Sequence, residues 1–137
     1  MTGLFNYLDK LKPKVYILKL GNFCLAKIGY TEQDIERYIR TRKFSGKYRG
    51  MEKDIKLFMV FEHKRALTIE WYVKKMLTQN LAKADDKNLG SGYTEWYICE
   101  PDQIWSYVLH AFKYLERKEK KKKKRKYMKH KQSYFDF

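Results

Sequence analysis

Four residues in this chain, Tyr16, Lys27, Arg37 and Glu70, have types and spacing that could do chemistry. Residues 15–20 and 23–28 are two β-rich runs separated by Gly21-Asn22, a pair that tolerates positive φ and predicts a two-residue hairpin turn. In that register Leu20 pairs with Phe23, and Tyr16 lies directly opposite Lys27 on one face. A phenol facing an ammonium is a candidate proton acceptor or polariser, because a neighbouring cation favours the phenolate. The ordinary alternative is a cross-strand amphipathic pair. Arg37 falls two helical turns past Gly29, beside the end of the hairpin and available to whatever the hairpin faces. Glu70 is the only acid on a lysine-bearing helical stretch, where a solvated pairing with Lys74 at i,i+4 is the plain alternative. Glu95 lies between Tyr93 and Tyr97, and His63 stands at a predicted strand end from which it could assist a site.

The elements that must position these residues follow from periodicity. Residues 1–13 read as a short amphipathic lead-in, with Leu4, Phe5, Leu8 and Leu11 at helical spacing and Pro13 closing it. After the hairpin, Thr31 is the expected cap of a helix with Glu32 and Asp34 in its first turn and Ile35, Tyr38 and Ile39 inward. Arg40, Arg42 and Lys43 add positive charge there, and residues 44–54 read as a loop. The nearly continuous apolar run 55–62 predicts a central strand covered on both faces. A helix over 64–81 places Ile69, Val73, Met76, Leu77 and Leu81 inward, a loop spans 82–92, and a short aromatic strand covers 93–99. Pro101 opens a last helix whose stripe is Ile104, Trp105, Val108, Leu109, Phe112 and Leu115.

These elements define one domain over residues 1–116 and a lysine-rich basic tail over 117–137, either loose or a helical extension. The fold class is α/β of the α+β type: a small mixed, mainly antiparallel three- to four-stranded sheet flanked by helices. The net charge of +15, from 31 Lys and Arg against 16 Asp and Glu, calls for a polyanionic partner, nucleic acid first. With 12 Tyr, 8 Phe and 3 Trp the chain is not a disordered polycation throughout. Cys24 and Cys99 fall in predicted strands and read as reduced, buried thiols of an intracellular, soluble protein. No apolar run reaches the roughly 20 residues needed to span a bilayer, and a secretory signal core is missing.

Phosphate-cradling, dinucleotide-binding, zinc and nucleophile-elbow motifs are all missing, so no small-molecule cofactor is expected. What remains is an order: KVY, then KIG about ten residues on, then an arginine eight past the glycine, then a helix-borne glutamate. This order resembles the GIY-YIG nuclease superfamily. KIGYT with the later TEWY is similar to its phage- and virus-associated T5orf172/MUG113-like branch. The resemblance covers residues 13–98; Lys14 departs from it, standing where the first motif usually has glycine.

The resemblance implies a metal-dependent endonuclease that hydrolyses DNA phosphodiester bonds. Tyr16 would activate water, Arg37 would contact the scissile phosphate, and Glu70 would hold one magnesium or manganese ion. Gly29 would let the backbone turn close to the site, and Lys27 replaces the second motif's tyrosine. Glu95 matches the late motif and either acts in the site or packs. Phosphodiester hydrolysis needs a deprotonated nucleophile, positive charge on the phosphorane and a Lewis acid for the leaving oxygen, and these groups could supply all three. Gly29, Tyr30, Arg40, Arg42, Lys43 and the tail residues Lys121, Lys122, Lys123, Lys124 and Arg125 are the expected DNA contacts, with Glu95 and His63 accessory. The alternative is a non-catalytic basic nucleic-acid-binding protein that keeps the fold. A peripheral membrane role ranks last, for want of a lipid anchor. The tail also resembles a nuclear-targeting run, so the expected compartment, if the protein is viral, is the host nucleus or cytoplasm.

Overall fold

A computed structural model describes residues 12–135, with side chains through residue 126. The expected lead-in stripe of Leu4, Phe5, Leu8 and Leu11 lies outside the described residues. Among the described residues the fold is α+β: a four-stranded antiparallel sheet of order β3-β1-β2-β4 with three α-helices. The strands are β1 (Lys14–Leu20), β2 (Ala26–Thr31), β3 (Ile55–Glu62) and the two-residue β4 (Trp96–Tyr97). The helices are α1 (Ile35–Arg40), α2 (Ala66–Asn80) and α3 (Pro101–Phe135).

Alternation along β1 and β2 sends side chains to two separate cores, because successive residues of a strand face opposite sides. Val15, Ile17, Ala26 and Ile28 pack against Ile69, Val73 and Leu77 of α2 and Ile104, Val108, Ala111 and Leu115 of α3. Tyr16, Leu18, Leu20 and Leu25 pack on the other face against Ile35 of α1 and Phe44, Tyr48, Leu89 and Trp96. The helical stripes expected for α2 and α3 hold at their buried positions. Met76, Leu81 and Trp105 sit partly buried at the margin of the same core.

Several sequence expectations are corrected. The hairpin loop holds residues 21–24 rather than Gly21-Asn22 alone: Leu20 donates to the Leu25 carbonyl at 3.1 Å, and Phe23 N–H turns back to the Leu20 carbonyl at 3.0 Å. Tyr16 therefore faces Gly29, and Lys27 faces Leu18. Because the slip is two residues, Tyr16 and Lys27 still share a face. Cys24 consequently lies exposed in the loop, whereas Cys99 is buried just past β4, where burial pushes its thiol up to about 12. β3 is an edge strand and not a central one, leaving Leu57, Phe58 and Val60 exposed. Asp34, not Thr31, caps α1, accepting from Glu36 N–H at 3.1 Å; Thr31 Oγ1 instead takes the Gln33 N–H at 3.0 Å. The expected loop 44–54 carries two short 3-10 turns, Gly46–Tyr48 and Met51–Asp54. The expected strand over 93–99 shrinks to Trp96–Tyr97, preceded by a 3-10 turn at Tyr93–Glu95.

The lysine-rich stretch after residue 116 continues α3 as helix without a break. At 35 residues and 1.5 Å per residue the helix is roughly 50 Å long, so its cationic half projects beyond the body as an arm. Among the described residues no helix is long and apolar enough to cross a membrane.

Candidate active site

β4 pairs with β2 at Ala26 and Lys27, and among the described residues no strand pairs with the rest of β2 on that side. A cleft of about 410 Å³ opens along this edge. β1 supplies Tyr16, β2 supplies Lys27, Gly29 and Tyr30, α1 and its exit supply Tyr38 and Arg42, α2 supplies Glu70, and the segment before β4 supplies Gly92 and Glu95.

The requirement for glycine at position 29 is steric. Tyr16 lies on its cross-strand partner, and a Cβ on Gly29 would collide with Tyr16 Cζ and Oη and stand 2.8 Å from Cε1. Gly29 thus gives the phenol its seat in the cleft. The ring is 97 % covered and packs 5.5 Å from the Tyr38 ring.

The charges form a continuous chain from Lys27 to Glu70. Lys27 is fully buried, a position open to an ammonium only with close partners. Its Nζ meets Glu95 Oε2 at 2.9 Å and donates to Tyr38 Oη. Glu95 Oε1 accepts from Lys74 Nζ at 2.8 Å, and Lys74 also meets Glu70 Oε1 at 3.2 Å. Two carboxylates and two ammoniums cancel, so Glu70 does have its i,i+4 partner and still faces the cleft. Arg42 adds one further cation, stacked 3.9 Å above the Tyr38 ring and bonded to the Ser91 carbonyl at 3.2 Å.

These surroundings set the protonation states. Burial, then the neighbouring Tyr38 and Glu95, holds the Tyr16 proton well above the ordinary tyrosine range. The expectation that Lys27 would favour a phenolate fails, because Lys27 pairs with Glu95 and Tyr38. Burial raises the Glu70 carboxyl, and Lys74 offsets this only in part. Burial also opposes the Glu95 charge, but Lys27 and Lys74 outweigh it and keep that carboxyl below the usual range. Lys74 is opposed by burial too, yet Glu95 and Glu70 raise it overall.

Tyr16, Lys27, Gly29, Tyr30, Glu70 and Glu95 are thus brought together. Arg37 is not: it is exposed on α1, and the arginine at the cleft is Arg42. Arg40 and Lys43 are exposed on and after α1, and Lys121, Lys122, Lys123, Lys124 and Arg125 are exposed on the arm. His63 also lies away from the cleft. Its Nδ1 accepts from Arg65 N–H at 3.0 Å, and its ring stacks on Phe61. Tyr38 is the cleft residue that sequence reasoning placed in the core; an aromatic one residue after Arg37, on the helix that follows the hairpin, was its available signal. Among the described residues no three His, Cys, Asp or Glu side chains cluster as a metal cage. Comparison with protein-family models, curated proteins and solved structures finds no match.

Proposed function

We propose that the protein is a metal-dependent endonuclease acting on DNA and that this cleft is its active site. The observation that carries the reading is the convergence of Tyr16, Gly29, Glu70 and Glu95, from separate elements, on one open cleft. Their order and spacing are those for which the GIY-YIG resemblance implies an active site.

Glu70 fits a hard cation. It is a partly buried carboxylate that faces the cleft with one oxygen paired to Lys74 Nζ at 3.2 Å, and the oxygens of Tyr16 and Glu95 line the same cleft. A lone carboxylate with waters suits magnesium, which dehydrates reluctantly. Such an ion would supply Lewis-acid stabilisation of the leaving oxygen. The chain's own groups do the rest. Tyr16 keeps its proton near neutral pH, so its part is to orient the attacking water by hydrogen bonding, and the proton that water loses leaves to solvent at the open cleft. Arg42, held flat on Tyr38, offers fixed positive charge to the phosphate, the part first assigned to Arg37. Lys27 holds Glu95 and Tyr38 in place.

Plasmid nicking with magnesium or manganese tests this. Glu70→Ala and Tyr16→Phe abolish nicking while leaving DNA binding near normal, and Arg42→Ala lowers it more than Arg37→Ala. Metal-independent binding without cleavage by the unaltered protein would overturn the reading. The neutralised Glu70 and the tightly held Tyr16 proton favour a second reading, a nucleic-acid-binding protein that keeps the cleft without using it. The same assay decides between them.

A further inference from the structure

A second surface, outside the cleft, joins exposed aromatics to unpaired cations. On α2, Trp71 and Tyr72 meet edge to face at 5.0 Å, and Tyr72 meets Tyr114 of α3 at 5.4 Å. Trp71 is 56 % exposed and Tyr114 46 %, so the two ends of this ladder present ring surface to solvent. Lys75 lies 5.2 Å from the Trp71 ring. From Tyr114 the surface continues into a groove of about 380 Å³ on the arm, lined by Arg117, Lys118, Lys121, Lys122 and Arg125. Among the described residues none of these five forms an ion pair; Glu119, the acid on that stretch that does, is engaged by Arg65.

Aromatic faces on which bases stack, beside cations spaced along a groove that a phosphate backbone can follow, are the two components of single-strand recognition. Duplex DNA hides its base faces and could use only the cations. On α2 the ladder begins one residue beyond Glu70, and Lys75 follows Lys74, so at about 100° per residue the stacking stripe flanks the stripe that faces the cleft. We infer that the Trp71–Tyr72–Tyr114 ladder and the cationic groove of α3 form a binding track for single-stranded nucleic acid. The track leads from the arm to the rim of the cleft. It does not rest on the cleavage chemistry, because its components lie outside the cleft and its readout is binding.

Fluorescence anisotropy with labelled oligothymidylate and oligouridylate of about 15 nucleotides, against a duplex of the same length, tests this on the full chain. The unaltered protein binds at least one single strand more tightly than the duplex. Trp71→Ala and Tyr114→Ala each weaken single-strand binding by roughly 5- to 100-fold, leave duplex binding within about twofold, and Trp71→Phe restores most of the loss. Thermal midpoints of the variants check that the fold is retained. Equal binding of strand and duplex, or aromatic variants that bind single strands as the unaltered protein does, would overturn the inference. So would a Trp71-dependent association with phosphatidylserine vesicles in the absence of oligonucleotide binding, which would assign the surface to a membrane.

Discussion

The cleft and the arm carry comparable numbers of charged groups and use them in opposite ways. In the cleft, Lys27, Lys74, Glu70 and Glu95 answer one another at 2.8 to 3.2 Å. On the arm, Arg117, Lys118, Lys121, Lys122 and Arg125 face water with no ion-pair partner among the described residues. Paired charges under low dielectric fix geometry and give little long-range attraction; unpaired surface charges attract polyanions and fix little. Stability and site architecture should therefore respond to the cleft network, and nucleic-acid affinity to the arm.

The sharpest way to break this division is to remove Glu95. Glu95→Ala leaves the buried Lys27 ammonium with only the Tyr38 hydroxyl, a loss of about 3 kcal/mol, at the lower end for a broken buried pair because Glu95 is itself partly exposed. Lys27→Met removes the buried charge as well and costs less than half of that. Urea unfolding that ranks the two the other way would show that the network is not the structural unit described.

Gly29→Ala forces the Tyr16 ring out of its seat and costs about 1–3 kcal/mol, with a disproportionate loss of any nicking activity. An alanine variant as stable and active as the parent would contradict the close approach.

A third prediction concerns pH. The Glu95 carboxyl is depressed in the folded state, so its contribution is present above the ordinary carboxylate range near 4.3 and is lost as pH falls through the lower folded value. Lys74 is raised, so its contribution is present below the ordinary lysine range near 10.4 and is lost as pH rises through the higher folded value. Thermal midpoints followed across pH should fall at both ends, and Glu95→Gln should flatten the acid limb.

The smallest stability effect belongs to the arm. Replacing Lys121, Lys122 and Arg125 together by alanine changes unfolding free energy by no more than about 0.5 kcal/mol. The same variant lowers the slope of log affinity against log salt by about 2 to 3, as expected when three phosphate contacts are lost. A stability change like that of Glu95→Ala would erase the contrast between the two regions.

Most of the framework was legible in the sequence, since β1, α2 and the first half of α3 carry clear apolar periods, whereas β2, expected over 23–28, lies at Ala26–Thr31. The turn was less so. Gly21 does adopt the positive φ that its type allows, but where the hairpin closes is decided by tertiary contacts, among them the Gly21 N–H bond to the Asp54 carbonyl at 3.0 Å. β3 misled because a continuous apolar run marks a strand's chemistry and not its place in the sheet; only the pairing order puts it at the edge. In the site, Tyr16, Glu70 and Glu95 could be picked out by type and order. That Lys27 would be buried against Glu95, and that Arg42 rather than Arg37 would reach the cleft, depends on how α1 exits and how the segment before β4 folds back, neither of which a local pattern encodes.

The unbroken course of α3 makes the arm a shaft whose angular setting is counted in residues. Ile104, Val108, Ala111 and Leu115 fix the azimuth of the helix against the sheet, and at about 100° per residue Lys118 and Lys122 emerge within about 50° of that direction and Arg125 about 70° from it. The cations are therefore aimed by the hydrophobic core. One residue inserted near position 116 would turn the whole cationic face by about 100° away from Trp71 and Tyr114, whereas a four-residue insertion would return it to within about 40° while lengthening the shaft by roughly 6 Å.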